Sequence, residues 1–264
     1  MGDTVMGRAV AGEGEDRRRR IVISARRAGS VDVTAIAADL GVSKETVRRD
    51  LSALERRGLV RRTHGGAYPV ENRGFGTTLE FRTGMHVVEK ERIAAAAAKL
   101  LGDAETVFID EGYTPQLIAE ALPDDRSLTV ITASLATAQA LATRPRATVL
   151  LLGGRVRGRT MATVDHWAAQ MLSEFVIDLA YVGANGISRE HGLTTPDPTV
   201  GAVKRQAMRV SRRRVFSGVY SKFGAVSFCR FADARSFEAI VTDTRLSPTE
   251  ARRYAVLGPE VLRV

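Results

Sequence analysis

Residues 31–67, VDVTAIAADLGVSKETVRRDLSALERRGLVRRTHGGA, contain the most strongly patterned stretch of the chain. Apolar residues on one face predict a short helix with Thr34 as its N-cap. Gly41 follows this helix, and glycine adopts the left-handed conformation of a tight turn at little cost. Ser43 is the predicted N-cap of a second helix, which we expect to extend to about Arg57. The pattern predicts two helices joined by a tight turn.

The second helix has two chemically different faces. Val47, Leu51 and Leu54 fall at positions i, i+4 and i+7 and form one apolar stripe. The opposite face is polar and basic. Hydroxyl groups and lysine suit DNA phosphates, whereas arginine suits a phosphate or the O6/N7 edge of guanine. A second helix after a tight turn can enter the major groove. The predicted DNA contacts of this helix are Ser43, Lys44, Thr46, Arg48 and Arg49.

A basic hairpin is predicted directly after the second helix. Residues 59–63 have the pattern of a short strand, residues 64–66 that of a tight turn, and residues 67–68 begin a return strand. Such a hairpin is typical of the wing of a winged helix-turn-helix. An ordinary amphipathic helix with a solvated charged face is the alternative, but it leaves the short first helix and the basic hairpin unexplained. The predicted DNA contacts of the wing are Arg61, Arg62, His64, Gly65 and Gly66.

Positive charge is concentrated in the same part of the chain. The 264 residues include 39 Lys and Arg and 30 Asp and Glu, a net charge of +9. Residues 17–68 alone contain 13 Lys and Arg and 5 Asp and Glu, a net charge of +8. A local excess of this kind favours a polyanionic partner, and we expect that partner to be double-stranded operator DNA.

The rest of the chain predicts an α/β domain. Short apolar strands alternate with helical segments, which is typical of a mostly parallel sheet covered on both faces. We expect a disordered leader at residues 1–15, the winged helix-turn-helix at 16–69, a linker at 70–86 and the α/β domain at 87–264. The predicted strands are TVFID (106–110), LTVIT (128–132), TVLLLGG (148–154), LAYVGANG (179–186), RVFSGVY (214–220), EAIVTD (238–243) and EVLRV (260–264).

The sequence resembles the DeoR family of bacterial repressors. The resemblance lies in VSKETVRRDLSALERRGLVRRTHGGA and continues through EKERIAAAAAKL, DEGYTP, ITASLATA, LLGGRVR, ANGISREHGLTTPD and YSKFG, so that it covers roughly residues 17–264. It implies a Rossmann-like sensor domain of the type shared with ribose-phosphate isomerases and CoA transferases. It also implies a repressor of a carbohydrate or related catabolic operon that senses a small metabolite, often a phosphorylated sugar.

Polar loops follow four of the predicted strands. In parallel α/β sheets, ligands bind at the carboxyl ends of strands, although each loop alone is also typical of a plain strand-to-helix turn. Two lysines further along the chain are candidates to neutralise a phosphate. The predicted effector-binding residues are Asp110, Glu111, Gly112, Tyr113, Thr114, Thr132, Ser134, Gly153, Gly154, Arg155, Asn185, Lys204 and Lys222.

The candidate effector site departs from the family pattern. Glu111 and Tyr113 stand where the family usually has Ser and Thr, Ala133 replaces Asn, and Val219 replaces an acidic residue. An added carboxylate and a bulky ring oppose phosphate binding in the usual cradle. We therefore expect either a ligand other than an ordinary phosphosugar or a lost response to ligand.

The alternative function is an enzyme, a sugar-phosphate isomerase or acyl transferase on the same kind of fold. Asp110, Glu111 and Lys222 are suitable for acid–base chemistry, but the basic N-terminal module has no use in that hypothesis. Motifs for nucleotide, dinucleotide or metal binding are absent from the sequence, so neither a cofactor nor a metal is expected. Cys229, the only cysteine, is expected to be buried. We expect a cytoplasmic regulator without membrane attachment that forms a homo-oligomer, either a dimer or a tetramer.

Overall fold

The computed structural model describes residues 14–25, 30–56, 59–63, 65–69, 79 and 83–264. The chain divides into two compact units, residues 1–72 and 73–264. Most of the predicted leader and most of the predicted linker lie outside the described residues, so both remain predictions. In the part of the chain that the structure describes, no helix is long and apolar enough to cross a membrane.

The N-terminal unit is a winged helix-turn-helix. Its three short strands form an antiparallel sheet in the order β1-β3-β2. The hairpin of β2 and β3 is the predicted wing. The elements are α1 (residues 14–25), β1 (Val31–Asp32), α2 (Val33–Leu40), α3 (Lys44–Arg56), β2 (Val60–Arg62) and β3 (Gly66–Pro69).

The apolar stripe of α3 forms the centre of this small core. Val47, Leu51 and Leu54 are buried, as predicted, and pack in one cluster with Ile21 of α1 and Val60 of β2. A small domain is stabilised mainly by burying such a cluster. Because the stripe faces inward, the basic face of α3 is turned toward solvent.

The turn between α2 and α3 has the predicted glycine geometry. Gly41 adopts a left-handed conformation with φ of 65°. Ser43 caps α3, since its Oγ accepts a hydrogen bond from the backbone N of Thr46 at 3.1 Å. The predicted cap of α2 was wrong. Asp32, not Thr34, caps that helix, because the Asp32 carboxylate accepts hydrogen bonds from two backbone N–H groups at its start, at 2.8 and 2.9 Å.

Strand β1 was not predicted from the sequence. Its position explains why residue 66 is a glycine. Asp32 of β1 pairs with Gly66 of β3. A Cβ atom added at Gly66 would lie 1.9 Å from the carbonyl oxygen of Val31, far inside any tolerable contact. Glycine at this position is therefore required by the close approach of two backbones.

The second unit is built on one parallel sheet. All seven predicted strands are present and pair in parallel in the order β15-β14-β12-β9-β4-β5-β6. The strands are β4 (Thr106–Ile109), β5 (Leu128–Thr132), β6 (Ala147–Leu151), β9 (Ile177–Val182), β12 (Ser211–Ser217), β14 (Ala239–Thr242) and β15 (Glu260–Arg263). The helices are α4 (Val87–Ala98), α5 (Tyr113–Ala121), α6 (Leu135–Leu141), α7 (His166–Ser173), α8 (Pro198–Val210) and α9 (Pro248–Ala255).

Both faces of this sheet are covered by apolar side chains. Val107 and Ile109 of β4 belong to one buried cluster with Ile118 of α5, whereas Phe108 between them belongs to another with Leu172 of α7. This alternation is the period of two that a strand imposes. The predicted double-sided burial is confirmed.

Five further short strands were missed by the sequence analysis. They form a hairpin and a three-stranded antiparallel sheet in the order β10-β11-β13. Cys229, expected to be buried, lies at the start of β13 and is only partly buried. The hairpin is β7 (Arg155–Arg157) and β8 (Ala162–Val164), and the small sheet is β10 (Gly186–Ser188), β11 (Gly192–Thr195) and β13 (Cys229–Ala232).

A buried carboxylate connects α1 with α3, and its removal should weaken the N-terminal unit. Asp50 is buried and accepts hydrogen bonds from Arg17 at 2.5 Å and Arg18 at 3.2 Å. Asp50→Asn should lower the free energy of unfolding of this unit by about 1–3 kcal/mol, because two charge-assisted hydrogen bonds are weakened. Urea unfolding of the full chain measures the loss, and hydrogen exchange of the α1 amides measures it locally.

Glu45→Gln is the matched control for Asp50→Asn. Glu45 also lies on α3 and pairs with Arg48 at 3.5 Å, but both side chains are exposed. The control should change stability by less than about 0.5 kcal/mol. Equal stability of the two variants would show that Asp50 does not hold α1 on α3.

Candidate DNA-binding surface and effector site

The exposed face of α3 presents the predicted DNA-contacting residues together. Lys44, Arg48 and Arg49 are exposed near the start of the helix. The hydroxyl groups of Ser43 and Thr46 lie 2.9 Å apart and hydrogen-bond each other. The first turn of a helix also exposes backbone N–H groups, which favour an anion. This surface is suited to a phosphate flanked by arginines.

The two arginines of this face differ in their surroundings. Arg48 forms an ion pair with Glu45 at 3.5 Å, one turn earlier. Among the described residues, no carboxylate lies within ion-pair distance of Arg49. An exposed arginine without a carboxylate partner keeps its guanidinium available for an external acceptor. Arg49 is thus the more accessible of the two for reading a base.

The wing is fastened to α3 by polar contacts. The Arg62 guanidinium donates to Ser52 Oγ at 2.8 Å, and the Arg62 backbone N donates to Glu55 Oε1 at 3.0 Å. The roles of Ser52 and Glu55 could not be predicted from the sequence, because both depend on how the hairpin folds back. The exposed Gly65 accepts a hydrogen bond from the backbone N of Val33 at 2.9 Å. His64 and the side chain of Arg61 lie outside the described residues.

The predicted effector loops lie at the carboxyl ends of four adjacent strands, in the order β9-β4-β5-β6. From β4 the chain adds β5 and β6 on one side of the sheet, and β9, β12, β14 and β15 on the other. The order therefore reverses between β4 and β9. A crevice at such a reversal is the usual ligand site in an open parallel sheet.

A buried ion pair lies at this reversal. Lys204 of α8 donates to the carboxylate of Asp110, which follows β4, and to the carbonyl oxygen of Gly183 at 3.1 Å. The same Asp110 carboxylate accepts from the Gly183 backbone N at 2.9 Å. Both charged side chains are only 2% exposed. Glu111 Oε1 also lies near this lysine, 3.8 Å from Lys204 Nζ.

The electrostatics of this group are dominated by its burial. Burial raises the pKa of the Asp110 carboxyl, and the adjacent Lys204 ammonium opposes that rise. The carboxylates of Asp110 and Glu111 both lie close to the Lys204 ammonium. A phosphate approaching Lys204 would meet a cation that is already balanced within the chain.

Other predicted effector residues serve the local structure. Thr132 Oγ1 donates to the carbonyl oxygen of Ile109 at 2.7 Å, and Ser134 caps α6 by accepting from Thr137 N at 3.1 Å. The Asn185 Oδ1 accepts from Thr195 Oγ1 at 3.4 Å. The buried Asn185 Nδ2 has no hydrogen-bond partner among the described residues. An unpaired buried donor favours a ligand oxygen or water.

The start of α5 contributes three more of the predicted residues. Gly112 precedes the helix with φ of 115°, a conformation that favours glycine. The ring of Tyr113 lies 5.5 Å from the Nζ of Lys90, and Thr114 is buried in the first turn. The helix start is therefore covered by an aromatic ring and a lysine from α4.

The remaining predicted residues lie apart from this group. Gly153, Gly154 and Arg155 follow β6 at the edge of the sheet, two strands from β4. Arg155 pairs with Asp165 at 3.3 Å. Lys222 lies in a short helical turn that follows β12. Within the described ranges, no cluster of His, Cys, Asp and Glu is suited to hold a metal ion.

Models of two known domains match the two parts of the chain. The DeoR-like helix-turn-helix domain matches residues 17–73, and the DeoR C terminal sensor domain matches residues 85–244. The chain belongs to the DeoR family. Membership identifies it as a DNA-binding transcriptional regulator with a sensor domain for a small-molecule effector, and not as an enzyme.

Curated relatives of this DeoR family regulator extend over nearly its whole length. It is 34% identical to the HTH-type transcriptional regulator GlpR of Haloferax volcanii, over 94% of this chain and 96% of that protein. It is 29% identical to the glycerol-3-phosphate regulon repressor of Escherichia coli, over 86% and 90%. Among solved structures, the probable sor operon regulator of Shigella flexneri superposes with a TM-score of 0.44 at 12% identity, over 63% of this chain and 90% of that one.

Removing the lysine of the buried pair should destabilise the sensor domain in a pH-dependent way. Lys204→Met leaves two buried carboxylates without their cation, which should lower the free energy of unfolding by about 3–5 kcal/mol at pH 7. Burial raises the pKa of the Asp110 carboxyl, and this pKa should rise further without the opposing Lys204 ammonium, so the folded variant binds protons more readily than the unfolded chain. The loss should therefore shrink as the pH falls from 7 to 5, measured by urea unfolding.

Lys99→Met provides the control for the buried lysine, because Lys99 is exposed. It should leave stability nearly unchanged at every pH. Adding Asp110→Asn to Lys204→Met should restore part of the loss. A loss that is absent, or that does not vary with pH, would contradict the assignment of Lys204 as the counter-ion of the two carboxylates.

Proposed function

We propose that this protein represses a carbohydrate or related catabolic operon and releases its operator when a small metabolite binds the sensor domain. The observation that supports this proposal best is the exposed basic face of α3, held outward by its buried stripe. The names of the relatives, which include a regulon repressor, support repression. Because the target is DNA inside the cell, we propose that the protein acts in the cytoplasm.

We assign the contacts to DNA by chemistry. Ser43, Lys44 and Thr46 are suited to phosphate, and Arg48 and Arg49 to a phosphate or a guanine edge. In the wing we place Arg61, Arg62 and His64 on the DNA backbone, with Gly65 and Gly66 forming the turn that lets the hairpin approach. One such module reads few base pairs, so we also propose that the protein acts as a homo-oligomer, a dimer or tetramer on paired half-sites.

For the effector we propose a crevice at the carboxyl ends of β4 and β9, where the strand order reverses. Asp110 and Glu111 follow β4 and Asn185 follows β9, and their polar groups suit the hydroxyl groups of a small polyol or sugar. Glu111, 3.8 Å from Lys204 Nζ, competes with any anion for that lysine. We propose that this competition disfavours a phosphate at Lys204 and that Glu111 sets the ligand preference of the site.

Replacement of Arg49 tests the proposed reading face. Arg49→Ala should weaken binding to DNA from beside the protein's own gene by about 1–3 kcal/mol if the arginine forks a guanine. Gel shifts over a salt series measure this. Affinity of the unaltered protein should fall steeply with salt, each phosphate contact adding about 0.9 to the log–log slope.

Arg56→Ala is the matched control on the same helix. Arg56 is also exposed but lies in the last turn of α3, away from the helix start. The affinity of the Arg56→Ala variant for the same DNA should stay within about twofold of that of the unaltered protein. An affinity for DNA that does not change with salt concentration would contradict the repressor proposal. An unchanged sequence preference in Arg49→Ala would show that Arg49 does not read a base.

Replacement of Glu111 tests the proposed ligand preference. Glu111→Gln removes the second carboxylate beside Lys204, so the glycerol 3-phosphate concentration that releases half of the DNA should fall about tenfold. Glu120→Gln, at an exposed position of α5, is the control and should change nothing. Equal action of glycerol 3-phosphate on the unaltered protein and on Glu111→Gln would show that Glu111 does not set the ligand preference. DNA binding itself is tested separately, by the Arg49→Ala variant.

A further inference from the structure

A second concave site lies in the sensor domain among α8, β12 and β13. It is a cavity of about 570 Å³ whose wall contains four arginines, Arg205, Arg209, Arg214 and Arg230. Asp233 is its only acidic lining residue. Four positive charges against one negative charge make this groove, hereafter the arginine groove, a strongly basic concavity. The predicted effector residues include none of these five.

Backbone carbonyl groups hold two of these arginines in place. Arg205 donates to the carbonyl oxygen of Arg230 at 2.9 Å, and Arg214 donates to that of Met208 at 2.7 Å. A carbonyl fixes the orientation of a guanidinium without neutralising its charge. Both guanidinium groups therefore keep their positive charge while their geometry is set in advance. Such preorganised cations bind anions at a low entropic cost.

The other two arginines are more exposed. Arg230 pairs with Asp233 at 3.0 Å, with both side chains partly open to solvent. Arg209 lies in the last turn of α8 and is exposed, and no described residue forms an ion pair or hydrogen bond with its side chain. Only one of the four charges is thus compensated within the described chain. The groove attracts a ligand with more than one negative charge.

An apolar wall gives the arginine groove a second recognition element. Phe231 and Met208 are both buried and line it. The ring of Phe231 also lies 5.6 Å from Nζ of Lys204, within the range of a cation–π contact. Phe231 thus contacts both the arginine groove and the buried ion pair at the strand ends. A ligand in the groove would press on the residue that packs against Lys204.

We propose that the arginine groove is a binding site for a small organic anion with at least two negative charges, of the phosphorylated-metabolite class. Arginine suits phosphate through bidentate hydrogen bonds, and the cavity volume suits a molecule of that size. The site is separate from the crevice at Asp110 and does not depend on the effector proposed there. It supplies the uncompensated cations that the crevice lacks.

Calorimetry of the full chain with inorganic pyrophosphate tests this proposal. The unaltered protein should bind one pyrophosphate per chain, and Arg209→Ala and Arg230→Ala should each weaken binding about five- to tenfold. Arg252→Ala is the matched control, because Arg252 is likewise an exposed arginine in the last turn of a helix, α9. It should bind pyrophosphate as the unaltered protein does.

Three results would overturn the proposal. The first is no pyrophosphate binding by the unaltered protein. The second is equal weakening by Arg252→Ala, which would show attraction to surface charge in general. The third is displacement of pyrophosphate by random-sequence duplex DNA together with a lower salt slope of DNA binding in Arg209→Ala, which would make the groove a DNA contact.

Discussion

The burial of one apolar stripe on α3 determines which face of this helix is exposed. Val47 and Leu51 are buried in one cluster with residues of α1 and the wing, whereas Arg48 and Arg49, which lie between them in sequence, are exposed. On a helix of 3.6 residues per turn, the position of the apolar face fixes that of the polar face. The position of the proposed reading surface is thus a consequence of core packing.

Buried charge in both units is compensated within the chain, with different consequences. Asp50 is compensated by Arg17 and Arg18 of α1, so the first helix is tied to α3. Lys204 is compensated by Asp110 and Glu111, so its charge is already balanced at the strand ends. A buried charge without a partner is costly, so such pairs are hard to alter singly. The arginine groove differs because carbonyl groups orient two of its cations, Arg205 and Arg214, without neutralising them.

Much of the fold was predictable, since long periodic segments have strong patterns. All seven strands of the parallel sheet, both helices of the DNA-binding motif and the Ser43 cap follow from periodicity and turn chemistry. Strands of two to four residues, such as β1, have too few positions to show a period. Asp32 replaces Thr34 as the cap because α2 begins at Val33, directly after β1 and two residues earlier than the sequence pattern predicted. The Asp110–Lys204 pair joins residues 94 apart, and only the strand order brings them together.

Hydrogen–deuterium exchange of the full chain, with and without DNA from beside its own gene, tests the central claim most directly. Exchange in peptides covering residues 43–49 and 60–68 should be slower when DNA is bound. Peptides of α5 should show no direct protection of this size. Protection confined to the sensor domain, with the α3 and wing peptides unchanged, would contradict the assignment of the DNA-binding surface.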